Sequence, residues 1–201
     1  MVETNSIDLT QEPNPNGEIV NFSEVTDPRW SGIISLPSHG QLTLAPKIRN
    51  DLYIVKGSLV ESDKELPSGT FLTRSTESSL NAGSGGATVF MYRDSIAINS
   101  RDETVVPSEL QWYQGGAEGM EVAPLFGAHH RLSLVSWKPG TQIGVHSHPF
   151  GEEIFVLAGE LHDQHGRYPA GTWQRLHPET SHSPFAEIDT LILLRNGHLR
   201  T

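Results

Sequence analysis

The stretch Gly140–Gly159, GTQIGVHSHPFGEEIFVLAG, places His146 and His148 two residues apart and a carboxylate, Glu152, four residues further on. The spacing reads G-x5-H-x-H-x3-E-x6-G. On a β-strand alternate side chains share a face, so an H-x-H pair aims two imidazoles at one point. Imidazole and carboxylate together suit a borderline divalent metal. The run then continues as EIFVLAGEL (153–161), a short apolar stretch broken by a glycine.

Similar stretches recur outward from it: LYIVKGSLV (52–60), ATVFMYR (87–93), LSLVSW (132–137) and TLILLR (190–195). Gly, Pro, Asn, Asp and Ser punctuate them closely, and helical periodicity is hard to find. This pattern predicts an all-β sandwich or barrel. Residues 1–17, with Pro13, Asn14, Pro15 and Asn16, read as an extended arm.

The chain has 201 residues, enough for one large or two small domains. A net charge of −10 argues against nucleic acid as a partner, because phosphate binding needs clustered Lys and Arg. There is no cysteine, which excludes disulfides, thiolate zinc sites, iron–sulfur clusters and a cysteine nucleophile. The start, MVETNSIDLT, lacks a basic and an apolar region, so no secretory signal is expected. No apolar run is long enough to cross a membrane, and a cytoplasmic location is the default expectation. Nine of the ten histidines lie between His129 and His198, with only His39 outside, so the C-terminal half carries chemistry that the N-terminal half lacks.

A shift of 102 residues aligns 50–95 with 152–197 without a gap. Gly57 meets Gly159, Leu59 meets Leu161, and PSGT (67–70) meets PAGT (169–172). Phe71 faces Trp173, while Thr88 and Arg93 meet Thr190 and Arg195. Nine of 46 positions are identical, where chance gives roughly three. Two tandem copies of one β unit are therefore expected, the second beginning near Gly119. The domains follow as 1–112 and 113–201. The positions matching His146, His148 and Glu152 are Leu44, Pro46 and Asn50, none a good metal anchor, so the first copy is read as degenerate.

These residues carry a family resemblance. Gly140–Gly159 resembles the first motif of the cupin superfamily, and YPAGTWQRLHPETSHSPF (168–185) is similar to the second, which supplies one more histidine. Residues 110–198 most resemble the cupin domain of ChrR-type anti-sigma factors and their stand-alone relatives. The resemblance implies tandem jelly-roll (double-stranded β-helix) barrels. It also implies one divalent metal held by three histidines and one glutamate: His146, His148, Glu152 and His182. Glu179 departs from the pattern, standing where relatives have a turn glycine. ChrR-type proteins also carry an N-terminal zinc module with His and Cys ligands. This chain has no cysteine, so capture of a sigma factor is not carried over. Some stand-alone relatives are iron dioxygenases of diketones or hydroxyketones.

Several neighbours compete with these four ligands. Glu153 has the opposite strand parity to Glu152 and reads as a satisfied surface charge. His177 reads as part of the strand wall. His129 and His130 are expected to cap a strand, and His162 and His165 to be exposed around a turn. Trp137, Trp173, Phe155 and Phe185 read as barrel core. Trp173 and Arg175 share parity, so one of them is a candidate to face the cavity. Gly140, Gly151 and Gly171 read as turn residues.

Three neutral imidazoles and one carboxylate leave a divalent ion near +1, and an octahedral ion would keep two open positions. Zinc or iron is the expected metal, with manganese or nickel as alternatives. Three functions fit: an oxygenase of small carbonyl compounds acting through a Lewis-acidic or redox metal, a non-catalytic zinc-binding sensor, and a metal-dependent isomerase or lyase. The expected partner is a small molecule, with no nucleic acid and no membrane. Monomer and homodimer both fit. No catalytic residue beyond the metal ligands is legible.

Overall fold

The structure is a computed structural model and describes residues 1–95, 101–126 and 131–199. His129 and His130 lie outside the described residues. The described chain is almost entirely β-strand, with one short 3-10 turn at Pro107–Glu109. It divides into two compact units, Gln11–Glu109 and a second made of Leu110–Thr201 with Met1–Thr10. Each is a cupin-type jelly-roll barrel.

In the N-terminal unit, strands Arg49–Glu61 and Ser78–Asp94 pair at the centre of an eight-stranded antiparallel sheet. Leu52, Ile54, Leu59, Leu72, Leu80 and Val89 form its core. Of the positions matching the candidate ligands, Leu44 and Asn50 are buried and Pro46 is exposed. Leu44 joins that core, and the Nδ2 of buried Asn50 donates to the Ile48 carbonyl at 2.9 Å.

In the C-terminal unit, the seven-stranded sheet runs in the order Val2–Ser6, Thr172–Leu176, Glu152–Ala158, Thr190–Asn196, Arg131–Trp137, Met120–Phe126, Tyr113–Gln114. Two smaller sheets complete the barrel: His146–Ser147 with Ser181–His182, and Gly166–Pro169 with Glu160–Asp163 and Phe185–Ala186. Alternation along Glu152–Ala158 turns Ile154 and Val156 toward the core formed with Val135, Trp137, Leu161, Leu176 and Ile192.

The two units share local geometry that explains the matching glycines. Each central strand has a bulge at the same place, Ile54/Lys56 and Val156/Ala158, followed by a left-handed glycine, Gly57 at φ 73° and Gly159 at φ 76°. A Cβ at Gly57 would lie 2.1 Å from the Gly86 carbonyl oxygen, and one at Gly159 would lie 2.3 Å from that of Asp189. The backbone approach therefore excludes any side chain.

Two sequence expectations need correction. Ile54 pairs with Val89 while Val156 pairs with Ile192, so the last strand of the repeat is offset by 103 residues, not 102. Arg195 therefore corresponds to Tyr92, not Arg93, because one residue is inserted in the loop before the strand, where length is free. The arm also divides. Val2–Ser6 pairs antiparallel with Thr172–Leu176, and Met1–Thr10 groups with the C-terminal unit, not with the first domain. The stretch VETNS shows little apolar alternation because an edge strand is held by main-chain hydrogen bonds. Gly171, at φ 90°, lets the Ile7 carbonyl come so close that a Cβ would sit 1.9 Å from it.

Candidate metal centre

His146 and His182 sit directly opposite each other on the short strands His146–Ser147 and Ser181–His182. His148 follows on the same loop. Glu152 opens the next strand with its side chain turned inward and only 3% exposed. Two left-handed residues close the turns that bring these pieces together. Gly151, at φ 69°, donates its N–H to the His148 carbonyl at 3.1 Å. Glu179, at φ 66°, donates to the same carbonyl at 3.2 Å. Glu179 thus occupies the backbone region that favours glycine, as expected of a turn where relatives carry one.

The four side chains converge. His182 Nε2 lies 3.0 Å from His146 Nε2 and 3.2 Å from His148 Nε2. Glu152 Oε2 lies 3.3 Å from the Nε2 of both His148 and His182. Each ring is oriented from behind. His146 Nδ1 donates to the Gly144 carbonyl at 2.9 Å, which leaves Nε2 as a lone pair. His148 Nδ1 contacts the Asn196 side-chain amide at 3.0 Å, and His182 Nδ1 faces the Asp163 carboxylate at 3.9 Å. Asp163 is itself held by the Tyr168 hydroxyl at 2.9 Å and by the backbone N–H of His165 at 2.7 Å. These outer partners resemble those that orient ligating histidines. Sequence reasoning missed Asn196 and Asp163, since neither stands in the H-x-H-x3-E spacing.

The electrostatics follow from burial and crowding. Burial, then the neighbouring His146 charge, lowers the His148 pKa to about 4. Burial, then His146, His148 and His165, lowers that of His182 to about 3. Burial raises the Glu152 carboxyl to about 8. Two imidazoles are thus neutral at pH 7, and a buried carboxyl lies beside them.

Does this set fit a metal ion? Cis ligands at the usual bond length of about 2.0–2.1 Å stand roughly 2.8–3.4 Å apart, between right-angle and tetrahedral geometry. The observed separations of 3.0–3.3 Å fall in that range. Glu152 Oε2 is buried without a hydrogen bond, a costly state for a carboxylate lacking a countercharge. His146, His148 and His182 form a group able to hold a divalent ion, and Glu152 lies against two of them, His148 and His182.

Beneath the donors lies a cavity of about 250 Å³. Its apolar lining includes Met120, Val135, Trp137, Ile154, Ile192 and Leu194, and Ser133, Asn196 and the four candidate ligands line it too.

Other candidates resolve differently. Glu153 is not a surface charge. It is fully buried, accepts from Arg175 Nε at 2.6 Å, and lies 3.2 Å from His198 Nε2 and 3.7 Å from Arg195 Nη1. Strand parity turns it away from Glu152, and the downstream basic residues follow it. Arg175 and Trp173 do not line the cavity; the guanidinium stacks 5.3 Å from the Trp173 ring. His162 is buried, not exposed, held by Glu160 at 2.5 Å and by the Phe185 ring. His165 contacts the Ser181 carbonyl, and His177 bonds Glu3 on the edge strand. None of these reaches the cluster.

A jelly-roll barrel with inward-facing histidines at one end defines a cupin. More narrowly, residues 100–200 match the ChrR cupin-like domain, and the chain belongs to that family. Among curated proteins none matches. Among solved structures, the chain is similar to a candidate dioxygenase from Nostoc punctiforme, with TM-score 0.78 and 11% identity over 99% of this chain and 85% of that one. It is also similar to a cupin 2 conserved barrel domain protein from Leptotrichia buccalis, with TM-score 0.65 and 15% identity over 92% and 90%. Bacillus subtilis oxalate decarboxylase, a protein with Mn(II) centres, aligns with TM-score 0.66 and 12% identity over 92% and 73%. At these identities the likeness is one of fold.

Proposed function

We propose that the C-terminal barrel holds one divalent metal ion through Nε2 of His146, His148 and His182 and the carboxylate of Glu152, and acts as a dioxygenase of small carbonyl compounds of the diketone or hydroxyketone type. The observation that carries this reading is the convergence of three ring nitrogens and one buried carboxylate at the head of an apolar cavity. Such an ion, when bound, supplies Lewis acidity toward a carbonyl and, as iron, one-electron chemistry toward dioxygen. The chain does the rest. Gly144, Asn196 and Asp163 orient the rings. Glu152 gives up its proton and offsets one positive charge, while the aliphatic wall keeps water from the reacting groups.

A second reading, a zinc-binding sensor, is favoured by the donor count, since four protein donors alone complete a tetrahedron. An isomerase or lyase is less well supported. Among the described lining residues the polar groups besides the donors are Ser133, Asn196 and the buried indole N–H of Trp137, and none is an acid or base at neutral pH. We read the N-terminal unit as the degenerate copy, with Leu44, Pro46 and Asn50 at the ligand positions. The partner is a small molecule, and the chain acts as a monomer or homodimer.

Elemental analysis of protein purified without added metal is expected to find about one divalent ion per chain, and His148→Ala to lose it. Two ions per chain refutes the degenerate reading of the first unit, and full occupancy in the variant refutes the ligand assignment. Oxygen uptake by iron-loaded protein over a diketone panel tests the activity. Native zinc with no uptake overturns the dioxygenase in favour of the sensor.

A further inference from the structure

Two buried polar side-chain atoms of the cavity lining have no hydrogen-bond partner among the described residues: Glu152 Oε2 and Trp137 Nε1. They belong to opposite ends of the cavity. Glu152 pairs across the sheet with Asn196, and Trp137 pairs with Thr190, six residues away on that same strand. At the usual strand rise this is about 20 Å of backbone. Between them the register stacks Ile154 with Leu194 and Ser133, then Ile192 with Val135. Trp137 stands at the far end, paired on its other side with Met120. The two orphaned atoms differ in chemistry. Glu152 Oε2 is answered by the metal ion of the reading above. The indole N–H is a donor and nothing else, so an acceptor must answer it. Trp137 is 3% exposed and packs with Met120, Val135 and Ile192, none of which carries a side-chain acceptor oxygen. A donor buried in this way is costly, and an unfilled donor in a native cavity calls for a partner from outside the chain.

We infer that Trp137 is a specificity-determining residue, its indole N–H donating to a carbonyl or ether oxygen at the far end of the bound molecule. The ligand class is then a molecule with a metal-binding head, an aliphatic spacer and a separate acceptor oxygen at the end of that spacer. The head rests on the metal reading above, and the far end rests on the orphaned donor. Oxygens on neighbouring carbons of one head cannot reach both ends of the cavity, so the acceptor is a further group on the tail. The spacer lies against Ile154, Leu194, Val135 and Ile192, which line the cavity between the two ends.

Octanohydroxamic acid and its 5-oxo and 7-oxo derivatives, with decanohydroxamic acid and its 9-oxo derivative, share a metal-binding head and differ in whether and where the tail carries an acceptor. Calorimetric titration of the metal-loaded protein is expected to find one keto position that binds about fivefold to tenfold tighter than the plain chain of its length, the size of one buried hydrogen bond. In Trp137→Phe protein that preference is expected to reverse, because a buried carbonyl then lacks its donor, while metal content stays at the wild-type level. A second readout needs no variant. The Trp137 indole resonance of nitrogen-15-labelled wild-type protein is expected to lie further downfield with the favoured keto chain than with the plain one. Equal affinity at every keto position, or one indole position with both chains, overturns the inference. Protein that takes up no metal removes the metal reading. There, and where no hydroxamate binds, metal-free protein is titrated with octan-2-one and 2-methyloct-1-ene, which differ in oxygen against methylene. A downfield indole shift with the ketone alone supports the Trp137 assignment without the metal, and no such shift overturns it.

Discussion

Replacing Glu153 by Gln removes the buried carboxylate to which Arg175 Nε donates at 2.6 Å, and leaves Arg195 and His198 facing a neutral amide at 3.7 and 3.2 Å. All four side chains are nearly inaccessible. Breaking a buried pair in this way costs about 3–5 kcal/mol, because a desolvated charge is left uncompensated. The titration argument agrees in size. Burial alone would raise the Glu153 carboxyl, yet His198, Arg175 and Arg195 outweigh it and hold the pKa at about 2 against an ordinary 4.5. That difference is worth about 3 kcal/mol where His198 carries its charge, and the arginines alone supply less than this at neutral pH. Burial keeps His198 itself neutral above about pH 4, so at neutral pH the arginines carry the countercharge. A group with a depressed folded pKa contributes its full stability above 4.5 and loses it as pH falls through about 2. For a unit of this size Glu153→Gln is expected to lower Tm by about 12–20 °C at pH 7. Thermal melts followed by circular dichroism, with Trp137 and Trp173 fluorescence reporting on the C-terminal unit, measure it. A loss of less than about 1 kcal/mol at pH 7 would refute the reasoning, since exposed pairs contribute that little. So would a wild-type protein whose stability does not fall between pH 4 and pH 2.

Burial holds a proton on Glu152 up to about pH 8 in the metal-free protein, so metal uptake at pH 7 is expected to release close to one proton from it. Calorimetry in buffers of different ionisation enthalpy counts that proton, and a release of none contradicts the buried, protonated state. Glu179→Gly is expected to stabilise the protein by about 1 kcal/mol, since φ 66° costs a side chain and not a glycine. Urea denaturation measures this, and a destabilised variant would show that the Glu179 side chain is needed where it stands. Asn196→Leu is expected to weaken metal binding about tenfold by freeing the His148 ring, with little change in Tm. Competition with a chelator reads the affinity, and an unchanged value removes Asn196 from the positioning of His148.

Much of the site was legible in local spacing. His146, His148 and Glu152 lie within seven residues of each other, so one short strand and the turn at Gly151 bring them together without help from distant parts of the chain. The repeat was legible because Gly57 and Gly159 answer the same backbone requirement, a left-handed bulge against a neighbouring carbonyl. Its last strand was misaligned by one residue because apolar runs such as TVFMY and TLILL match in either register. Glu153 was misread because parity tells which face a side chain takes, not what covers that face. Its partners Arg195 and His198 come from a strand and turn more than forty residues away.

Sequence by itself determined the all-β character, through period-two alternation and turn chemistry, and pointed to two units through its internal repeat; the H-x-H-x3-E spacing and the family resemblance singled out His146, His148, Glu152 and His182. The tertiary structure decided what lies around them. It set the apolar cavity, the rear contacts of Asn196 and Asp163, the edge strand Val2–Ser6 and the buried Glu153 cluster. Each of these joins residues distant in sequence, whose contacts follow from barrel closure and not from any local pattern.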